Sequence, residues 1–263
     1  MAARHPERIV CLTEETTETL YLLGEERRIV GISGYTVRPP RARREKPRVS
    51  AFLSAKNEKI LQLKPDLVIG FSDLQADIAR DLSKAGLNVL IFNQRSVQEI
   101  LSMILTLASL VGVMDKGLAL IKQLESGLDR IRAEGKRFPR KPKVYFEEWD
   151  EPMISGIRWV SELVEIAGGE DIFAELSVSQ AAAGRIVSSE MVLQRKPEVI
   201  LGSWCGRKFR PERVAAREGW QDIPAVRENR LHEIKSADIL QPGPAALTDG
   251  VRHIHRLLAS VQA

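Results

Sequence analysis

A two-lobed α/β protein with one long helix between its lobes is the fold this sequence predicts, on three observations. Short apolar runs alternate with helical patterns in both halves, which is the signature of parallel, doubly wound (Rossmann-like) sheets. One phrase is written twice, "LQLKPDLVIG" at 61–70 and "LQRKPEVILG" at 193–202. The copies stand about half a chain apart, too far for a solenoid period of roughly 20 to 50 residues, so they mark two similar halves. Between the halves, residues 96–137 carry helical periodicity and no strand candidate. The expected division is an N-terminal lobe over 1–112, a bridging helix over 113–137 and a C-terminal lobe over 138–263.

Each element has its own reason. "RIVCL" (8–12) reads as a buried strand, running into "TEETTETLYLLG". There Thr13 is placed to cap a helix with acids in its first turn and a stop at Gly24. "RIVGIS" (28–33) is a second strand. "RPPRARREKPR" (38–48) follows and reads as a solvated basic loop, because no aromatic residue interleaves with its charges as nucleic-acid binding would favour. "SAKNEKILQL" is a helix opened by Ser54, broken by Lys64-Pro65-Asp66, and "LVIG" is the strand after it. "LQADIARDLSKAG" is amphipathic and ends at Gly86. "NVLIFN" places four apolar residues in a row, as expected of a strand covered on both faces. A long helix over 116–136, with Gly112 and Gly117 as possible notches, ends at "PRKPK". The second half repeats the alternation: strand "KVYFEEW", a helix from Trp159 to Gly168-Gly169, helix "SSEMVLQRK", strands "EVILGSW" and "RLHEIK", and a last helix from Pro244. The repeated phrase therefore has one job in both lobes: helix end, proline break, central strand.

Composition narrows the function. With 44% hydrophobic residues among 263, two lobes can bury real cores; 39 Lys and Arg against 35 Asp and Glu leave a net charge of only +4. Nucleic acid is not an expected partner. No apolar run reaches the length of a membrane span, so no membrane insertion is expected. "MAARHPERIVCL" has neither an apolar signal core nor a small-residue cleavage site. The chain as written is expected to be cytoplasmic, or periplasmic if an export signal has been removed. Cys11 and Cys205 are expected to be reduced, with Cys205 read as a buried, inert thiol. GxSxG, P-loop and GxGxxG motifs are missing, so no enzyme, no catalytic residue and no metal site is expected. In "FEEWDEP" (146–152), strand alternation puts Glu147 and Trp149 on one face and Glu148 and Asp150 on the other, so the carboxylates do not converge. His253 and His255 lie about 200° apart on a helix and cannot share a ligand from one face.

Ligands of doubly wound sheets bind beyond the carboxyl ends of the strands. Aromatic residues are only 5% of the chain, yet they recur there. Tyr35 and Phe71 follow strands of the first lobe with Phe52 in a nearby loop, and Trp149 and Trp204 follow strands of the second. Such faces suit a large flat or greasy ligand. Arg38 and Asp238 are counted with them as candidate ligand-binding residues.

"RIVCLTEETTETLYLLGEERRIVGISGYTVRPP", "NEKILQLKPDLVIG", "ISGIRWVSELVEIAGGEDIF" and "SSEMVLQRKPEVIL" resemble the substrate-binding proteins of ABC importers for cobalamin, ferric siderophores and haem. The resemblance covers nearly the whole chain and is most specific in "KPDLVI", "KPEVIL" and "AGGEDIF". It implies a metal chelate held in a cleft between lobes, little domain closure, no cofactor of the protein's own, and a monomer that meets an ABC permease. Cobalamin binders are the nearest group: "GYTVRPP" looks like their ligand loop. The chain departs from them at Arg38, where an aromatic is common, and at Phe52 and Phe71, where tryptophans stand. "SWCG" (203–206) corresponds to no family motif. A corrinoid is the implied ligand, with a ferric siderophore or haem as alternatives; a cytoplasmic corrinoid-processing enzyme or ligand carrier is the alternative of another class. Glu58 and Glu190 stand equally far ahead of Pro65 and Pro197, near the starts of equivalent helices. A helix dipole alone favours a carboxylate there; the resemblance implies that each meets arginines of the permease.

Overall fold

The computed structural model describes residues 5–262, which form two compact α/β units. The first holds the described residues up to Gln94 together with Gln98–Gln123; the second holds Arg95–Val97 and the chain from Leu124 onward. The long helix Met114–Gly135 gives residues 114–123 to the first and 124–135 to the second.

In the first unit, β1 (Ile9–Cys11), β2 (Ile29–Ser33), β3 (Arg48–Ser50), β4 (Leu67–Phe71) and β5 (Val89–Phe92) make one parallel sheet in the order β3-β2-β1-β4-β5. The chain builds outward from β1 to β3, then returns to lay β4 on the other side of β1. The switch point therefore falls between β1 and β4. Side chains alternate across the sheet. Ile9, Cys11, Leu67 and Ile69 pack on Leu20, Leu107 and Val111, while Val10, Leu12 and Val68 pack on Ile60, Ile78 and Leu82. Burying each large aliphatic chain contributes on the order of 2 kcal/mol.

In the second unit, β6 (Lys143–Asp150), β9 (Val199–Gly202) and β10 (Leu231–Glu233) lie parallel in the order β10-β9-β6. β7 (Met153–Ser155) pairs antiparallel with the end of β6, and β8 (Glu170–Asp171) parallel with its start. Tyr145 is central to one core cluster, meeting Phe173 and Trp220 edge-on at 5.6 and 6.3 Å between ring centroids.

The repeated phrase performs the same work twice. Helices Asn57–Gln62 and Ser189–Arg195 end ahead of Lys64 and Lys196, which turn into the left-handed region at φ +46° and +49°, and β4 and β9 follow. The acid after each proline then holds the start of the neighbouring strand. The Asp66 carboxylate accepts the Glu7 and Arg8 N–H groups at 2.7 and 3.0 Å; that of Glu198 accepts the Lys143 N–H at 2.9 Å.

Several local expectations are corrected. Thr13 stands at the N-cap of helix Glu14–Leu22, but its hydroxyl caps nothing and donates to Glu15 Oε1 at 2.5 Å instead. Ser54 does not open the next helix, which starts at Asn57 behind Lys56. The basic run is not a free loop: it contains helix Ala42–Glu45 and ends at the first residue of β3, and Arg41 pairs with Glu26 at 2.9 Å. Gly112 does separate two helices, Val97–Leu110 and Met114–Gly135, whereas Gly117 lies inside the second. A Cβ there would stand 2.4 Å from Ala108 Cβ, so Gly117 sets helix contact rather than a notch. Among the described residues, no helix is long and apolar enough to cross a membrane.

Candidate ligand site

In the first unit the loops after β1 to β4 carry the unusual chemistry. Helix Glu14–Leu22 follows β1 directly, and its polar first turn is buried: Glu14 is 7% exposed and Glu15 1%. The threonines satisfy themselves locally, Thr16 and Thr17 donating to Thr13 O and Thr19 to Glu15 O. Oε2 of Glu14 and Oε2 of Glu15 have no hydrogen-bond partner. Burial first, and repulsion from neighbouring acids after it, push Glu14 up to about 8. Burial raises Glu15 to about 7 against the hydroxyl of Thr13. One turn on, Glu18 accepts from Arg38 at 2.9 Å, tying the loop after β2 to this helix.

Apolar side chains stand out from the neighbouring loops. Tyr35 after β2, Leu53 after β3 and Leu74 after β4 are 56%, 68% and 59% exposed. Buried Gln75 locks two of these loops together: its Oε1 accepts the Phe71 N–H and its Nε2 donates to Phe52 O, both at 2.9 Å. A Cβ on Gly70 would lie 2.5 Å from that Oε1, so the lock requires glycine in β4. Phe52 is half-buried and Phe71 buried. Phe71 thus supports the loops from below, while Tyr35 presents its ring. Leu53 and Leu74 escaped the sequence reading because leucine carries no mark of exposure.

In the second unit, the strand ends are pinned by arginines. Glu147 is fully buried on β6 and held by a bidentate Arg217 at 2.5 and 3.0 Å, with the Trp204 indole N–H donating to it at 3.0 Å. Removing one partner of such a buried pair costs about 3 to 5 kcal/mol. Asp150 pairs with Arg207 at 3.0 Å and Arg213 at 3.4 Å. Strict alternation would put Glu147 and Asp150 on opposite faces, but arginines of one segment reach both. A register shift between Glu147 and Trp149, against β7, breaks the alternation. Trp149 is half-buried, with the Arg207 guanidinium 5.1 Å from its ring centroid. Trp204 turns inward against Phe209, 5.1 Å between ring centroids. A cavity of about 770 Å³ opens here among Asp150, Met153, Glu190, Trp204, Arg213 and Arg217. The arginines of this segment were missed by sequence; their spacing across "RKFRPERVAAR" is the signal that could have found them.

The remaining candidates fall elsewhere. Asp238 sits half-buried on helix Ser236–Ile239 and lines a separate cavity of about 540 Å³ with Asp249, Arg252 and His253. Glu58 and Glu190 are both exposed, each in the first turn of its helix. Neither Cys11 nor Cys205 forms a disulfide, but Cys205 is exposed, not buried: with Trp204 packed inward, the next side chain of the turn points out. Among the described residues, no group of three or more His, Cys, Asp or Glu could hold a metal ion.

Exposed apolar side chains over pinned polar groups, at the strand ends of parallel α/β units, define a small-ligand-binding protein. The chain belongs to the periplasmic binding protein family, whose profile matches residues 9–237, and this is a family of non-catalytic ligand binders, normally periplasmic or lipoprotein-anchored. A vitamin B12-binding protein of Vibrio parahaemolyticus is 27% identical over 252 residues, covering 94% of this chain and 88% of that one. An uncharacterised ABC transporter substrate-binding lipoprotein of Bacillus subtilis is 24% identical over 260 residues, covering 95% and 79%. The crystal structure of the periplasmic vitamin B12-binding protein of Vibrio cholerae superimposes with a TM-score of 0.77 at 25% identity, covering 99% of each chain.

Proposed function

We propose that this protein binds a corrinoid as the substrate-binding component of an ABC importer. The observation that carries the reading is the apolar surface at the strand ends, where Tyr35, Leu53 and Leu74 stand exposed. A corrin ring is a broad, largely apolar plate with a rim of amide side chains, and it needs flat partners with polar groups at the edge. The relatives named for vitamin B12 match along nearly the whole chain and support the same ligand class. In this reading Tyr35, Phe52 and Trp149 touch the ligand; Arg38, fixed by Glu18, offers a positive edge; and Phe71 and Trp204 hold the loops from beneath. Asp238, which lines a separate cavity, is left outside this set. The corrinoid is cargo, and the protein has no resident cofactor.

Tyr35→Ala and Trp149→Ala should each weaken corrinoid binding roughly ten- to thirtyfold, the usual loss for a central aromatic contact, with the unfolding transition unchanged. Unaltered affinity in both variants, measured by calorimetry, would remove the strand ends from the site.

Glu58 and Glu190 are the proposed permease contacts, exposed at equivalent places in the two repeats. Reversing both to Lys should abolish capture by a permease with matching arginines and leave ligand affinity as it was, because like charges would then meet across the interface. Capture at wild-type strength would rule the pair out.

A further inference from the structure

The loops after β6 and β9 meet because these strands are parallel neighbours, with their carboxyl ends on the same side. Asp150 closes β6, and Arg207 lies in the turn after β9. That arginine is held from several sides. Its Nη1 donates to the buried Asp150 carboxylate at 3.0 Å. Its guanidinium lies 5.1 Å from the Trp149 ring centroid and 5.9 Å from that of Trp204. Both rings are fixed in turn: the Trp149 indole N–H donates to Glu151 O and that of Trp204 to Glu147, each at 3.0 Å. The backbone closes the turn, Arg207 N–H to Trp204 O at 3.0 Å.

A surface arginine over one ring is ordinary and contributes little. A guanidinium set by two rings and a carboxylate is different, because it has already given up the side-chain freedom that recognition costs. It still has donors to offer. The Arg207 side chain is 47% exposed, and its Nε and Nη2 make no hydrogen bond among the described residues. Those two groups are the rigid fork that matches two oxygens of a phosphate or carboxylate. Charge favours an anion there. Asp150 is shared with Arg213 at 3.4 Å, so one carboxylate faces two guanidiniums. Lys208 has no ion-pair partner among the described residues, and Arg210 reaches Glu212 only at 3.8 Å. Glu151, Glu190 and Glu218 line the neighbouring cavity, whose wall does not include Arg207.

Resting on the corrinoid reading above, we propose that Arg207 is a specificity-determining ligand contact that recognises a phosphate on a side arm of the corrinoid. Most side arms of a corrin are neutral amides, and the anion it carries is the phosphate of its longest arm. Trp149 takes the flat of the ligand, and the guanidinium beside it takes that phosphate at the edge. Phosphate-bearing corrinoids are thereby selected over those whose arm ends in an alcohol.

The test titrates cobinamide and cobinamide phosphate calorimetrically into wild type, Arg207→Gln and Arg207→Lys. Cyanide occupies both faces of the cobalt in each ligand, so that only the phosphate differs. Wild type should prefer the phosphate form by about tenfold or more at low ionic strength, as a charge-assisted pair provides. That preference should shrink in about 1 M salt, where the screening length is about 3 Å. Arg207→Gln should bring the two ligands within about twofold of each other, and Arg207→Lys, which keeps the charge without the fork, should retain only part of the preference. Asp150 keeps Arg213 as a partner in both variants. Equal affinity of wild type for the two forms, or a preference that survives Arg207→Gln, overturns the role of Arg207 and leaves corrinoid binding standing. If Arg207→Gln fails to fold, a preference in Arg207→Lys equal to that of wild type overturns it instead. A wild type that takes neither corrinoid overturns the function on which it rests.

Discussion

Glu15 is 1% exposed, and the folded chain therefore holds a proton that the unfolded chain releases. Its titration is pushed up to about 7 and that of Glu14 to about 8, with burial the largest cause. The groups around them are Glu18, Arg43 and Thr13, with Cys11 pushed up to about 12 beneath. Through these two acids the folded state binds more protons than the unfolded one between roughly pH 4.5 and 8, so their part of the stability falls as pH rises. His232 and His253, lowered by burial from 6.5, act oppositely below that value. Glu25, Glu26, Glu175 and Glu198 are lowered and act oppositely, but their contribution is lost only on acidification below the ordinary carboxylate range. Urea midpoints should therefore drop between pH 6.5 and 8, above the range of the histidines, and Glu15→Gln should remove on the order of 2 kcal/mol from that fall. A flat wild-type profile would contradict the burial of this pair. None of it was legible in "TEETTETL". The acids looked like ordinary first-turn carboxylates, because burial is set by the folded surroundings and leaves no mark in the helix's own sequence.

At the scale of elements, the repeated phrase was readable because proline and a helix end leave a local mark. The left-handed turn at Lys64 and Lys196 was not, since lysine seldom adopts it. Lys64→Gly and Lys196→Gly should each raise stability by about 0.5 kcal/mol, as relief of the left-handed strain exceeds the entropy glycine adds to the unfolded chain. A lower thermal midpoint in both variants would show that the lysine side chains do more than tolerate the turn. The short strands β3, β7 and β8 escaped for a different reason. Two or three residues carry no period, and such strands exist only through the neighbour they pair with. The same limit hid the register shift that brings Glu147 and Asp150 to one set of arginines.

For the whole molecule, alternation of strand and helix was enough to predict two parallel α/β units, because covered strands must be apolar throughout and the connecting helices amphipathic. The site was half legible. Tyr35 and Trp149 reach the surface as their places after and at the end of strands suggest, whereas Phe71 and Trp204 are drawn into the core beneath them. Aromatic identity marks a strand end; it does not say which way the ring turns. These strand ends are proposed to take a corrinoid in preference to other metal chelates. Calorimetric titration of one preparation with cobinamide, haem and a ferric siderophore tests it most directly. Saturable binding of one cobinamide per chain is expected at about micromolar affinity or tighter, with haem and the siderophore failing to displace it. Tight binding of haem or the siderophore, with no heat from cobinamide at millimolar concentration, would contradict it.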